Sequence, residues 1–168
     1  TIAVNTRTLT LSAASSNAGT LSASTGTITA GANSLTNTGS LTFTAAGSLT
    51  CGAVTNSGTI TLAGGAVGSG SVDNSGTIVF GTAAGATWTA GGYFTSTAAS
   101  AITNTNTNTV TVSGNVSILG GFGNPGNSLL RMDTASTYIN AAPQIGSLTL
   151  VSGATGVYLV TNDLNLSG

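Results

Sequence analysis

The sequence predicts an all-β protein, a parallel β-solenoid wound from coils of about 19 residues. Three observations carry that prediction. A nine-residue unit recurs along the chain at a nearly constant spacing. Its apolar residues alternate with Thr and Ser, which is the period of a strand. The composition also offers little with which to build a helix. Glu and Lys are absent, Gly accounts for 25 of 168 residues, and β-branched Thr is frequent.

The unit first reads Leu35-Thr36-Asn37-Thr38-Gly39-Ser40-Leu41-Thr42-Phe43. It returns as Val54-Thr55-Asn56-Ser57-Gly58-Thr59-Ile60-Thr61-Leu62 and as Val72-Asp73-Asn74-Ser75-Gly76-Thr77-Ile78-Val79-Phe80. The glycines are separated by 19 and then 18 residues. A weaker copy places Asn17 before Gly19, Thr20 and Leu21. Asn-x-Gly predicts a turn, because both residues tolerate left-handed backbone angles. The alternation that follows puts Leu41 with Phe43, Ile60 with Leu62, and Ile78 with Phe80 on an inward face. Coils stacked at ~4.8 Å would number about eight or nine and make a rod on the order of 40 Å long.

The remaining elements follow in order. Arg7 to Leu11 is a strand after Asn5, and Thr27 to Ala30 is another after Gly26. The three full copies come next. Residues 81–102 break the rhythm and hold Trp88, Tyr93 and Phe94, so an irregular excursion from the coil or an insertion is expected there. Thr109 to Val112 resumes the alternation after the Thr/Asn run from Thr103, and Val116 and Ile118 extend it. Residues 119–145 form a second expected excursion, with Pro125, Pro143, Arg131, Met132 and Asp133, and with one helical turn over Leu129 to Ala135. Gly146 to Leu150, Gly156 to Val160, and Leu164 with Leu166 supply the last strands. The whole chain, 1–168, is expected to be one solenoid domain.

The Asn-x-Gly-Thr-Ile-x-Leu unit at this spacing resembles the parallel β-helix repeats of filamentous-haemagglutinin-type exoproteins and autotransporter passengers. The resemblance is best over 35–80 and weaker over 5–30 and 105–166. It implies a right-handed parallel β-helix, export to the cell surface, and an adhesive or structural role.

Charge excludes several functions. The only charged residues are Arg7, Arg131, Asp73, Asp133 and Asp163, there is no His, and the net charge is −1. Two Arg cannot neutralise a run of phosphates, so no nucleic-acid partner is expected. Acid–base catalysis lacks its usual His, Glu and Lys, so no enzyme is expected. One Cys and three Asp make no zinc site, and neither a metal nor a cofactor is expected. Disorder is disfavoured, since disordered chains combine low hydrophobicity with high charge and this chain has a mean hydropathy of +0.38. No apolar run reaches the ~18 residues of a membrane span. The chain starts at Thr1 rather than Met, which fits removal of an export leader.

Candidate functional residues carry two readings each. Asn37, Asn56 and Asn74 occupy one motif position in successive coils. They form a structural amide ladder or a sugar or ion site. Cys51 shares parity with Leu49 and points inward as a small apolar group, or it forms an intersubunit disulfide outside the cell. Asp73, Asp133 and Asp163 are isolated surface charges, or two of them meet at a weak calcium site near Asn162 and Asn165. A carboxylate pair for glycoside hydrolysis is the less favoured use of so few acids. Trp88, Tyr93 and Phe94 cap the core or offer a contact surface. Thr-x-Thr pairs at Thr6/Thr8/Thr10, Thr25/Thr27/Thr29, Thr42/Thr44, Thr59/Thr61 and Thr87/Thr89, with the run at 103–109, resemble ice-binding solenoids. The alternative is that Thr simply suits the outer face of a strand.

These readings lead to an expected function. Soluble solenoids cover their ends with caps or blunt them with Lys and Pro. Here Thr1 to Asn5 and Asp163 to Ser167 are both strand-like, and no Lys protects either. The expectation is a structural subunit of an extracellular, pilus-like filament whose partner is another copy of itself. Copies would stack head to tail or exchange a strand. Ile2, Val4, Leu9 and Leu11 at one end and Val157, Leu159, Val160, Leu164 and Leu166 at the other are the expected joint. The alternatives are a monomeric surface adhesin that binds glycans through the aromatic cluster, and an ice-binding solenoid.

Overall fold

The computed structural model describes residues 1–81, 85–97, 99–104, 108–119, 121–123, 129–132, 138–139, 147–150 and 158–159. Among these the regular structure is all strand, and every named strand pair is parallel. The chain is a parallel β-solenoid.

One circuit shows how the sequence winds. Ser40–Thr44 lies on the first face. The chain turns through Ala45, Ala46 and Gly47 and enters the long strand Ser48–Asn56. The first half of that strand pairs with Thr27–Thr29, on the second face. Its other half pairs with Ser34–Asn37, on the third. Ser57 and Gly58 then lead into Thr59–Ala63, which lies beside Ser40–Thr44 with Leu41 opposite Ile60 and Phe43 opposite Leu62. The first face is a seven-stranded sheet. The second and third faces share a fourteen-stranded sheet, because Ser48–Asn56 and Ala66–Asn74 each belong to both. The first face has seven rungs and the second and third have eight each, so at ~4.8 Å per step the described rod is about 30–35 Å long.

Like residues stack because each coil repeats the one before it. Leu21, Leu41, Ile60, Ile78 and Ile102 form one inward row, and each is at most 5% exposed. Ala23, Phe43, Leu62 and Phe80 form the row beside it. Burial of each large side chain contributes roughly 1.5–3 kcal/mol. The outward positions between them are Ser22, Thr42, Thr61 and Val79.

The motif glycine is needed for space rather than for backbone angle. Positive φ among the described residues falls at Gly31, Gly64, Gly85 and Ala45, and not at Gly39, Gly58 or Gly76. A Cβ on Gly58 would run into the carbonyl oxygen of Gly39, and one on Gly76 into that of Gly58. The coil corner stacks backbone on backbone, and only hydrogen fits between.

Within 81–102, where the sequence predicts an excursion or an insertion, three strands keep to the solenoid. Thr87–Ala90, Phe94–Ser96 and Ala101–Asn104 all pair in register with the preceding coil. Ile78 and Ile102 are opposite each other, so this coil spans 24 residues where its neighbours span 18 to 20. The extra residues lie between the paired strands, and Trp88 and Phe94 fall on inward positions while Tyr93 is exposed. The helical turn expected from Leu129 is also absent over Leu129–Met132. That segment is a strand between Thr109–Val112 and Ser147–Leu150. A ladder on both sides outweighs the helical preference of Leu and Met. Elsewhere in 119–145, Gly121–Gly123 and Tyr138–Ile139 are strands. Pro125, Asp133, Ala135 and Pro143 lie outside the described residues.

Candidate functional site

The Asn positions form a continuous amide ladder inside the coil corner. Asn17 Nδ2 donates to Asn37 Oδ1 at 2.8 Å, Asn37 to Asn56 at 2.7 Å, and Asn56 to Asn74 at 2.8 Å. Asn74 Nδ2 ends the series on Ser96 Oγ at 3.1 Å. Each amide also reaches backbone oxygens, as Asn56 does to Thr77 O and Gly58 O. Asn37 and Asn56 are fully buried. Their polar groups are spent on one another, which leaves nothing to offer a sugar or an ion. The ladder is directional, since every Nδ2 points to the later coil. At its start, Asn17 Oδ1 accepts nothing among the described residues.

The residues expected at the joint divide into two groups. At the N-terminal end, Ile2–Val4, Thr8–Thr10 and Ser15–Asn17 are each paired on one side only. Ile2 takes the inward row of Leu21 yet is 56% exposed, because no rung covers it. Val4 is buried, and Leu9 and Leu11 are half-buried against the core. At the other end, Leu159 belongs to a strand paired with Tyr138–Ile139. Val157, Val160, Leu164 and Leu166 lie outside the described residues.

The aromatic cluster separates. Trp88 and Phe94 are buried, with ring centroids 5.9 Å apart in an edge-to-face pair. Trp88 Nε1 donates to Ser69 Oγ at 3.0 Å, so the indole N–H is satisfied within the core. Neither ring can serve as the contact surface that the sequence reading allowed. They sit on inward rows, opposite Val67 and Val72. Tyr93 alone is exposed, and its hydroxyl donates to Asp73 Oδ2 at 2.9 Å. The hydrogen bond to Asp73 and the carboxylate charge both raise the Tyr93 pKa. Thr95 Oγ1 donates to Asp73 Oδ1 at 2.7 Å. These two hydroxyl partners were not legible in sequence, because they lie 20 and 22 residues away on the next coil.

Cys51 is 4% exposed and opposite Ser69 on an inward row. Burial pushes its thiol up to about 11, which keeps it protonated and unreactive at neutral pH. That placement does not suit an intersubunit disulfide. No three His, Cys, Asp or Glu side chains gather among the described residues. Asp133 and Asp163 fall outside them.

The Thr-x-Thr pairs do not share one face. Thr8/Thr10, Thr27/Thr29, Thr87/Thr89 and Thr109/Thr111 are on the second face and stack in register. Thr42/Thr44 and Thr59/Thr61 are on the first. The molecule is therefore a parallel β-solenoid with an apolar core, an internal amide ladder and a nearly uncharged hydroxyl surface. Compared with known protein families, curated proteins and solved structures, the chain has no match in any of the three.

Proposed function

We propose that the chain is the structural subunit of a self-assembling extracellular filament, in which coils of one copy stack on coils of the next. The observation that carries this reading is the coil itself, whose three faces each pair in parallel register with the coils on either side and stack like residues in rows. A parallel coil is a complete template for another coil, because the strand spacing, the apolar rows and the amide ladder all continue by translation. A head-to-tail contact of this kind does not close and grows into a filament. A net charge of −1 offers little repulsion between copies. With no Lys, trypsin-like proteases are left with Arg7 and Arg131, which suits an exposed fibre.

In this proposal the repeat keeps its likeness to filamentous-haemagglutinin-type and autotransporter β-helices, and the chain has a structural rather than a catalytic role. A monomeric adhesin is the weaker reading, since burial of Trp88 and Phe94 leaves Tyr93 as the one exposed ring of the three clustered aromatics. The test is electron microscopy of the purified chain at micromolar concentration, beside Ile2→Lys and Leu9→Lys, which place a charge at the open edge. The expected result is wild-type filaments with an axial repeat of ~4.8 Å and isolated short rods for both variants, with unchanged circular dichroism. Wild-type protein that stays as single rods would refute the proposal.

A further inference from the structure

We infer that Asn115 is an acceptor for an N-linked sugar chain, transferred from a lipid-pyrophosphate carrier as the protein is exported. Such a site needs the export that the filament reading gives the chain, but not assembly. Asn115-Val116-Ser117 has the Asn-x-Ser form that this transfer requires, with no Pro in the middle. The same form recurs at Asn165-Leu166-Ser167, outside the described residues. The ladder residues Asn17, Asn37, Asn56 and Asn74 are excluded, because Gly stands two places after each of them. Asn at a corner is ordinary in this chain, whereas a corner Asn followed by Ser two places on is not.

The corner presents this residue to solvent. Asn115 is exposed and stands between Thr109–Val112 on the second face and Val116–Ile118 on the third. Its backbone carbonyl accepts from Phe94 N at 2.9 Å, which ties the corner to the preceding coil. Its side-chain amide makes no hydrogen bond among the described residues, whereas Asn37 and Asn56 are buried and bonded to each other. Val116 is buried, so Asn115 and Ser117 on either side of it project outward together. A transferase can therefore reach the amide and the hydroxyl from one direction. Tyr93 is the neighbour of Asn115 on the preceding coil, and its hydroxyl is tied to Asp73 one coil further back, which leaves the amide uncovered. In the transfer, Asn115 Nδ2 forms a bond to the anomeric carbon of the sugar while the bond from that carbon to the pyrophosphate oxygen breaks. The pyrophosphate leaves with the bonding pair, and the amide gives up one proton to a base of the transferase. The sugar then extends sideways from the rod, because the backbone groups of the rung stay in their ladder.

The test secretes the full chain from a eukaryotic host behind a cleavable leader. Intact mass is measured before and after a peptide amidase that releases Asn-linked sugars. Every protein carries Asn165→Gln, so that a single Asn-x-Ser remains. The expected result is a sugar-bearing parent whose release leaves an aspartate in place of Asn115. Ser117→Thr should keep the sugar, while Asn115→Gln and Ser117→Ala should lose it. Circular dichroism should show the same strand signal with and without the sugar, since both side chains project outward. An unmodified parent overturns the inference, as does a sugar retained in Ser117→Ala or a loss of strand signal in the modified chain. The leader supplies export, so an unmodified chain refutes this site and leaves the filament standing. A modified chain that forms no filaments by electron microscopy supports the site and refutes the filament alone.

Discussion

Asn56 accepts from Asn37 Nδ2 at 2.7 Å and donates to Asn74 Oδ1 at 2.8 Å, so each amide in the corner is both acceptor and donor. The ladder holds three coils in register through groups that are fully buried or nearly so. Breaking it in the middle leaves partners that water cannot reach. Asn56→Ala is expected to cost about 2–4 kcal/mol, and Asn17→Ala, at the half-exposed first rung, about 1 kcal/mol. Urea denaturation of the two variants checks the difference. Equal costs would mean that burial of the amide does not matter.

Gly58 and Gly19 occupy the same motif position but face different surroundings. A Cβ at Gly58 meets the carbonyl oxygen of Gly39, whereas one at Gly19 meets nothing within 4 Å. Gly58→Ala is expected to destabilise by about 1–3 kcal/mol through overpacking. Gly19→Ala should be close to neutral. Thermal unfolding of both proteins decides between this steric account and one based on backbone angle, which would predict similar losses.

The buried thiol predicts a pH effect. Cys51 ionises near 9.0 in the unfolded chain and near about 11 in the folded one. Between those values the unfolded chain has released a proton that the folded chain still holds, so stability falls as pH rises. Below 9.0 both states are protonated and the effect vanishes. Cys51→Ala should lack this decline. A thiol reagent should label the native wild type at neutral pH only slowly.

Trp88 is the single Trp and is fully buried. Its native fluorescence should be blue-shifted, poorly quenched by iodide, and lost on unfolding. Trp88→Ala is expected to cost about 3–5 kcal/mol through the cavity it leaves. Any loss of surface binding in that variant should follow the loss of fold. Phe94→Leu, which keeps an apolar group at the same inward position, should retain both.

The strands of the repeat could be read from alternation alone, because a residue's face depends only on its parity once the strand is known. Leu41, Ile60 and Ile78 were placed inward on that basis, and each is buried. The stretch from Thr87 to Asn104 was harder. Ala and Gly alternate with Thr there without strong apolar contrast, and the coil is longer than its neighbours. Local pattern suggested an excursion, while pairing with Ala66–Asn74 holds the segment as strands. The motif glycine was identified correctly as a corner but for a different reason, since contact with the coil below is not a local property.

The sequence by itself determined the coil, its strand-forming outer Thr and its apolar lining, because all three are periodic and periodicity is written along the chain. Only the tertiary structure decided which coils share a face. Corners of unequal length shift the register, and spacing in sequence cannot say where each shift is absorbed. That stacking sends Trp88 inward while Tyr93 reaches Asp73. It also divides the Thr-x-Thr pairs between two faces. Neighbours in a solenoid are about one coil apart in sequence, so contact between them is a property of the winding.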